Sequence, residues 1–427
     1  MPPSTLLSPP PPPERQASNE NNEELTNLPE DQVFEVLTRV PLDDLAACRA
    51  VSTRWRAITY EPAFAPLHCR RADAFSGYLV QSTTRYGRRA GFVSAHPLNP
   101  PLSLDFVPRA GRPWRRDDVR VVAVAPRMGL ACCVSAGSGN VPARYYVCKP
   151  ATQQWRALPN PRLRFQTRAT AMAARPSSDD QGAVEFRIVR LSTYIRGQYN
   201  SLRCEVFDSR RFAWRRAEDV PLPSISLRAG EPAVHAHGAA HWLCWPDWNR
   251  VAAQVVFALD VVGTGDWRLI ALPLELEDAK KRDTRLRKQI TVVEGRLCLM
   301  VTTGFAMQMV LEVWEMANYA EARWEKKTRV SLKRLYEGED QGLILQHLDS
   351  SGVAFLETSR RALWYDFQRG RKIAEVQVDH GNTTDTFKFE SDMIPCQMMG
   401  GRPCYQSSSP APFASSKEDD AMKVECI

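Results

Sequence analysis

Cys204 to Pro223 reads CEVFDSRRFAWRRAEDVPLP. A short apolar run, a polar turn rich in Asp, Ser and Arg, and a tryptophan leading a second run predict strand, turn and strand. The same order returns in YYVCKPATQQWRALP (Tyr145 to Pro159), VVFALDVVGTGDWRLIALP (Val255 to Pro273) and LEVWEMANYAEARWEKKTRV (Leu311 to Val330). Trp155, Trp214, Trp267 and Trp324 therefore occupy one position of a recurring hairpin. A fifth copy, ALWYDFQRGRKIAEVQV (Ala362 to Val378), keeps the hairpin around Arg369 and Gly370 but carries Lys372 and Ile373 where the tryptophan would fall.

Ahead of most copies lies a second strand pair broken by glycine, as in VVAVAPRMGLACCVSA (Val121 to Ala136), PAVHAHGAAHWLCW (Pro232 to Trp245) and QITVVEGRLCLMV (Gln289 to Val301). The unit is thus four strands recurring at roughly 50 to 60 residues, a spacing expected of propeller blades. With a weaker unit at Gly77 to Ala95, the count is about six blades. A single sheet this small cannot cover both its faces, so the blades are expected to pack on one another. Trp155, Trp214, Trp242, Trp267 and Trp324 are then expected in the propeller core, because large aromatics dominate burial.

Upstream, the apolar spacing changes from strand-like to helical. LTNLPEDQVFEVLTRVPLDDLAACRAVSTRWRAIT (Leu25 to Thr59) parses into three short helices. Pro29 starts the first, Glu30 and Asp31 place negative charge at its N-terminus, and Val33, Val36, Leu37 and Val40 recur at helical spacing until Pro41 stops it. The second carries Leu45, Cys48 and Val51 on one face, and Ser52 caps a third holding Trp55 and Ile58. Three arginines and a tryptophan in CRAVSTRWRAI (Cys48 to Ile58) could read nucleic acid, pack a helix or dock a protein. So short a helical unit holds a small core and leaves apolar surface for a partner.

The run LPEDQVFEVLTRVPLDDLAACRAVSTRWRAI resembles the F-box motif: a leading Leu-Pro, an apolar helix, a second step at Val40, Pro41 and Leu42, then Arg-x-Val-Ser-x-x-Trp-Arg. The resemblance implies docking on Skp, the adaptor of cullin-RING ubiquitin ligases. Leu28, Pro29, Val33, Leu37, Leu42 and Val51 would fall at adaptor-facing or motif positions. Val36, Val40, Leu45, Cys48, Trp55 and Ile58 would form the core, with Arg49, Arg54 and Arg56 as rim charges. The downstream region is similar to the F-box-associated, kelch-like propellers of plant F-box proteins, on FRIVRL (Phe186 to Leu191), CEVFDSRRFAWR, HGAAHWL (His237 to Leu243), VVEGRLCLM (Val292 to Met300) and LEVWEM (Leu311 to Met316).

The expected organisation is an α+β multidomain chain: a disordered Pro-rich leader over 1–24, a three-helix F-box over 25–68, an all-β propeller over 76–380 and a disordered tail over 400–427. The net charge of +7 is dispersed, and the dense basic runs Arg112 to Arg120 and Lys280 to Lys288 are interspersed with aspartates, so no nucleic-acid partner is expected. Eleven scattered cysteines without C-x-x-C or a secretory signal point to reduced thiols in the cytoplasm or nucleus. The most apolar run, Val251 to Val262, contains Gln254 and Asp260 and is too short to span a bilayer, so no membrane partner is expected.

His235, His237 and His241 raise the question of a metal, but no nearby Cys or carboxylate completes a shell, and neither metal nor cofactor is expected. No phosphate-loop, HExxH or GxSxG motif occurs, and no RING-type array, so the chain is expected to be non-catalytic. The resemblance then implies the substrate-recognition subunit of a Skp-cullin-F-box ubiquitin ligase, holding an unknown target on the propeller. The alternative is an interaction scaffold acting without cullin assembly. Loops at Arg109 to Arg120, Tyr194 to Ser201 and Glu275 to Lys288 are the candidate recognition face.

Overall fold

A computed structural model describes residues 28–406, except 41–47, 49–51, 60, 62–63, 65–66, 69–70, 72–73, 85–86, 96–101, 109–118, 126–127, 136–142, 163–164, 178–182, 194–200, 222–224, 229, 247–253, 264, 277–285, 305–307, 339–342, 350–351, 359, 379–381, 393–396 and 399–404. The chain forms two compact units, Met1–Ala74 and Phe75–Ile427.

The first unit holds α1 (Glu30–Leu37) and α2 (Thr53–Thr59). Pro29 stands at the N-cap of α1 rather than inside it, and its carbonyl accepts the amides of Gln32 and Val33 at 3.1 Å each. Ser52 caps α2 with Oγ 3.4 Å from the Trp55 amide. The expected middle helix lies outside the described residues, except for Cys48, which is helical.

The second unit is a six-bladed β-propeller. Blade 1 begins with β1 (Ala74–Thr84) and β2 (Gly87–Val93). Blade 2 is β3 (Val119–Ala125), β4 (Leu130–Ser135), β5 (Arg144–Lys149) and β6 (Gln154–Leu158). Blade 3 is β7 (Gln166–Pro176), β8 (Ala183–Thr193), β9 (Ser201–Asp208) and β10 (Ala213–Arg216), with β11 (Val220–Pro221) pairing back on β9. Blade 4 takes short β12 (Ile225–Leu227) and β13 (Val234–Ala236), both on β14 (Ala239–Pro246), then β15 (Val255–Asp260) and β16 (Trp267–Ala271).

Blade 5 is β17 (Arg287–Val293), β18 (Arg296–Thr303), β19 (Val310–Asn318) and β20 (Arg323–Ser331). Helix α3 (Lys333–Gly338) follows, and blade 6 is β21 (Ile344–Leu348), β22 (Val353–Glu357), β23 (Arg361–Asp366) and β24 (Arg371–Gln377). The chain then returns to blade 1, where β25 (Asn382–Asp392) pairs with β1. The propeller therefore runs past the expected end at residue 380. Short β26 (Gln397–Met398) runs parallel to β8, and β27 (Tyr405–Gln406) pairs with β6 inside the segment expected to be a disordered tail.

Two turns recur because the twist of paired strands demands them. The hairpins β13–β14 and β17–β18 each close through two residues with positive φ, His237 (49°) with Gly238 (76°) and Glu294 (50°) with Gly295 (77°), as two-residue hairpin turns require. The turn before each blade's outer strand ends in a left-handed residue two positions ahead of the tryptophan: Gln153, Phe212, Gly265 and Ala322. Gly370 holds the same place ahead of Lys372. The fifth copy thus keeps the backbone of the repeat while lacking its tryptophan.

The core lies between blades rather than at one centre. Leu130, Val147, Met172, Ile188, Phe207 and Trp214 join blades 2 and 3. Leu191, Trp242, Phe257 and Leu259 join blades 3 and 4, while Val256, Ile270, Leu299 and Trp314 join blades 4 and 5. Each blade buries one face against each neighbour, which is the expected answer to a sheet too small to stand alone.

Candidate functional site

In the first unit Val33 and Leu37 are each only 2% exposed and pack with Ile58 and Phe64, while Leu28, Phe34, Val40, Cys48 and Trp55 pack around them half-buried. Val36 is 56% exposed. Val33 and Leu37, expected at adaptor-facing or motif positions, pack in the unit's own core, whereas Val36, expected in that core, is exposed. The physical reason is Phe64, which meets Phe34 edge-on at 5.7 Å and draws the Val33/Leu37 side of α1 inward. Leu42, Leu45 and Val51 lie outside the described residues.

Sequence reasoning also missed the polar ties that hold this core. Arg54, expected as a rim charge, donates to the Leu28 carbonyl at 2.8 Å and so ties the start of α1 to α2. Arg71 reaches Glu35 at 2.6 Å and Thr38 Oγ1 at 2.7 Å, and with Arg39 it holds the Glu35 carboxyl below its usual range. His68 stacks on Phe64 and bonds the Val40 carbonyl at 2.8 Å. What remains for another protein on α1 is Pro29 and Val36, both exposed and two helical turns apart, with Leu28 half-buried beside them.

The repeated tryptophans divide. Trp214 is buried and its Nε1–H donates to the Pro159 carbonyl of blade 2 at 2.6 Å. Trp324, half-buried, makes the same bond to the Ala271 carbonyl of blade 4 at 2.8 Å. Trp155 is half-buried against Tyr146, and Trp242 is fully buried. Trp267 is 38% exposed, so its placement in the core is corrected; it leads the edge strand of blade 4, with its ring centre 6.4 Å from that of Phe257.

Two of the three histidines, His237 and His241, pack on Tyr319 of blade 5. His241 is buried in blade 4 with Nδ1 3.1 Å from the Val234 carbonyl and Nε2 2.9 Å from the Tyr319 hydroxyl of blade 5. A carbonyl only accepts, so Nδ1 carries the proton and Nε2 accepts from the tyrosine. His237 stacks on Tyr319 at 4.4 Å, and its Nε2 accepts the Leu297 amide at 3.2 Å. Burial lowers the pKa of His235 and of His241 to about 4 each. His237 and His241 join blades 4 and 5, and among the described residues no group of His, Cys, Asp and Glu could hold a metal ion.

Two carboxyls of the propeller have their ionisation opposed by burial. Glu357 accepts from Thr386 Oγ1 at 3.0 Å and its pKa is pushed up to about 7 by burial. Glu231 is likewise raised to about 7, by burial first, with Arg228 pulling it down and Asp385 pushing it up. The described cysteines are free, and Cys133 lies 3.7 Å from Cys148, sulfur to sulfur. Most of each proposed recognition loop, 109–118, 194–200 and 277–285, lies outside the described residues, and no described helix is long and apolar enough to cross a membrane.

Two family descriptions match this chain: "F-box-like" over residues 25–65, and "F-box protein At3g26010-like, beta-propeller" over residues 112–351. Among relatives, F-box protein At5g49610 of Arabidopsis thaliana is 26% identical over 391 residues, covering 88% of this chain and 99% of the relative. F-box protein At5g41720 of the same plant is 30% identical over 193 residues, covering 42% of this chain and 97% of the relative. A putative F-box/kelch-repeat protein, At1g12870, also of Arabidopsis thaliana, is 22% identical over 328 residues, covering 71% of each chain. The propeller match takes in more than half of the sequence and follows the F-box-like segment, so this chain belongs to the At3g26010-like family of F-box proteins with a beta-propeller.

Proposed function

We propose that this protein is the target-binding subunit of a Skp-cullin-F-box ubiquitin ligase. The observation that carries the reading is the union, in one chain, of an F-box-like segment at residues 25–65 with a six-bladed propeller. The F-box docks on a Skp adaptor and through it on a cullin, and the propeller holds a target protein. Leu28, Pro29 and Val36 supply the adaptor contact from α1, since Val33 and Leu37 are taken up by the internal core.

The contribution to chemistry is proximity. Tethering a target beside an activated ubiquitin raises the effective concentration of its lysines, and no bond is made or broken by this chain's own groups. The setting is the cytoplasm or nucleus, which suits buried cysteines kept as free thiols.

Affinity purification of the wild type beside a Pro29→Asp/Val36→Asp variant tests the reading. Skp and cullin are expected with the wild type alone, because a charge in a desolvated apolar contact is costly. Undiminished adaptor recovery by the variant overturns the assigned contact. Recovery of other partners with no adaptor in either sample favours a scaffold acting without a cullin.

A further inference from the structure

The tryptophan clamp is made between blades 2 and 3 and between blades 4 and 5, and is missing at the junction of blades 3 and 4, which is held by its apolar core. Trp214 ties blade 3 to blade 2, and Trp324 ties blade 5 to blade 4, each through its indole N–H to an outer-strand carbonyl of the preceding blade. Trp267, at the matching position of blade 4, donates no hydrogen bond to any described residue of blade 3 and remains 38% exposed.

The cause lies in blade 3. Its outer strand breaks after Arg216 and resumes only at Val220, where β11 pairs with Leu202 and Ser201. The Ala217 amide still bonds the Cys204 carbonyl at 3.0 Å in the register of the β9–β10 pair, which is shifted by one residue where β11 resumes, and Asp219 is held by Arg203 and Arg216. Where an indole would seat, a cavity of about 540 Å³ opens instead, walled by Ala217 and Glu218 and edged by Trp267. That volume lies within the range of ligand pockets.

The floor of this cavity is apolar and dry in composition: Val189, Val206, Val220, Leu259 and Val261 are all buried. Its mouth is charged. Arg187 and Arg215 are shared with a second cavity of about 460 Å³, whose other walls are Asp208, Arg210 and Arg211, four guanidinium groups against one carboxylate. Arg187 is engaged by Asp208 and by the Val262 and Gly263 carbonyls, and Arg210 by Glu185. Arg211 and Arg215 are exposed and make no ion pair with a described residue. Glu218 of blade 3 and Asp260 and Asp266 of blade 4 also line the first cavity, with Asp260 Oδ1 accepting the amides of Val262 and Gly263, so the excess of positive charge lies at the second cavity.

We propose that the unclamped junction between blades 3 and 4 binds an acidic peptide segment of a second protein. One large apolar side chain of the segment enters the cavity beside Trp267, and flanking carboxylates meet Arg211 and Arg215. Two cavities that share Arg187 and Arg215 exceed what one side chain fills, which favours a peptide over a single small anion, and an exposed tryptophan near arginines without an ion pair is the composition that anchors protein contacts. As the target's docking place this inference rests on the receptor reading above; the peptide binding itself can be measured separately.

The test is a random peptide library displayed on phage and panned on the immobilised full-length chain. Enriched sequences are expected to combine one large apolar residue with two or more acidic ones. The best of them, synthesised, is expected to bind at least tenfold more weakly to Arg211→Glu/Arg215→Glu and to Trp267→Ala, with thermal melts of both variants matching the wild type. No enrichment, enrichment without acidic residues, or affinity unchanged in the folded variants overturns the proposal. Skp recovery by the wild type separates the two readings: Skp recovered without enrichment of acidic peptides sinks only the cleft, and acidic-peptide binding without Skp sinks only the ligase assignment.

Discussion

Gln81 and Asp385, 304 residues apart in sequence, meet at 2.7 Å, amide Nε2 to carboxylate Oδ2. The same Gln81 accepts the Val121 amide on Oε1 at 2.8 Å, and Asp385 also takes Arg120 at 3.3 Å. One buried amide thus joins the first strand of the propeller, its returning strand β25 and blade 2.

Replacing Gln81 by Ala leaves the Val121 amide without its acceptor and Asp385 with Arg120, and is expected to lower stability by about 1–3 kcal/mol. Chemical denaturation of the variant beside the wild type measures it. A loss no larger than that of an average surface substitution would show that β25 holds blade 1 without this contact.

The clamp tryptophans are expected to part company on truncation. Trp214→Ala removes a buried ring and its bond to Pro159 and is expected to cost about 3–5 kcal/mol. Trp267→Ala, at an exposed edge position, is expected to cost under about 1 kcal/mol. Equal losses would mean that Trp267 is seated in solution.

Glu357 carries a pH signature. Its folded pKa is raised from 4.5 to about 7, so its contribution to stability is full below pH 4.5 and is lost as pH rises through 7. Glu357→Gln keeps the shape and removes the charge, and is expected to gain on the order of 2 kcal/mol over the wild type at pH 8. The advantage should vanish by pH 4.5 in denaturation curves taken across the range; a pH-independent difference would place the ionised form in a solvated setting.

His241 has the opposite sign. Its folded pKa is lowered from 6.5 to about 4, so the stability it carries is present above pH 6.5 and is lost as pH falls toward 4. His241→Gln is expected to melt at a lower temperature than the wild type at pH 7.5, having lost the bonds to Val234 and Tyr319, and to show a shallower decline between pH 6.5 and 4. Parallel pH profiles of the two proteins would rule out this histidine as a source of acid sensitivity.

In the F-box unit, Leu37→Ala is expected to cost about 2–5 kcal/mol by opening the cluster with Val33, Ile58 and Phe64. Val36→Ala, on the exposed flank, is expected to leave stability within about 0.5 kcal/mol. Proteolytic sensitivity of residues 25–65 in each variant reads the difference. Equal sensitivity would return Val36 to the core.

The sequence by itself determined the repeat and the change from helix to strand upstream of residue 76, and put the count at about six blades, because alternation, helical spacing and turn residues are local properties of a chain. Tertiary structure alone decided what depends on a neighbour. Val33, Val36, Leu37 and Val40 share helical spacing, and only the packing of Phe64 selects which of them turn inward. Trp214 and Trp267 lie in like sequence, and the break in blade 3's outer strand leaves just one of them without a seat. No local pattern marks β25 as the partner of β1, since strand pairing across 304 residues is specified by closure of the ring, and that exists only when all six blades are folded.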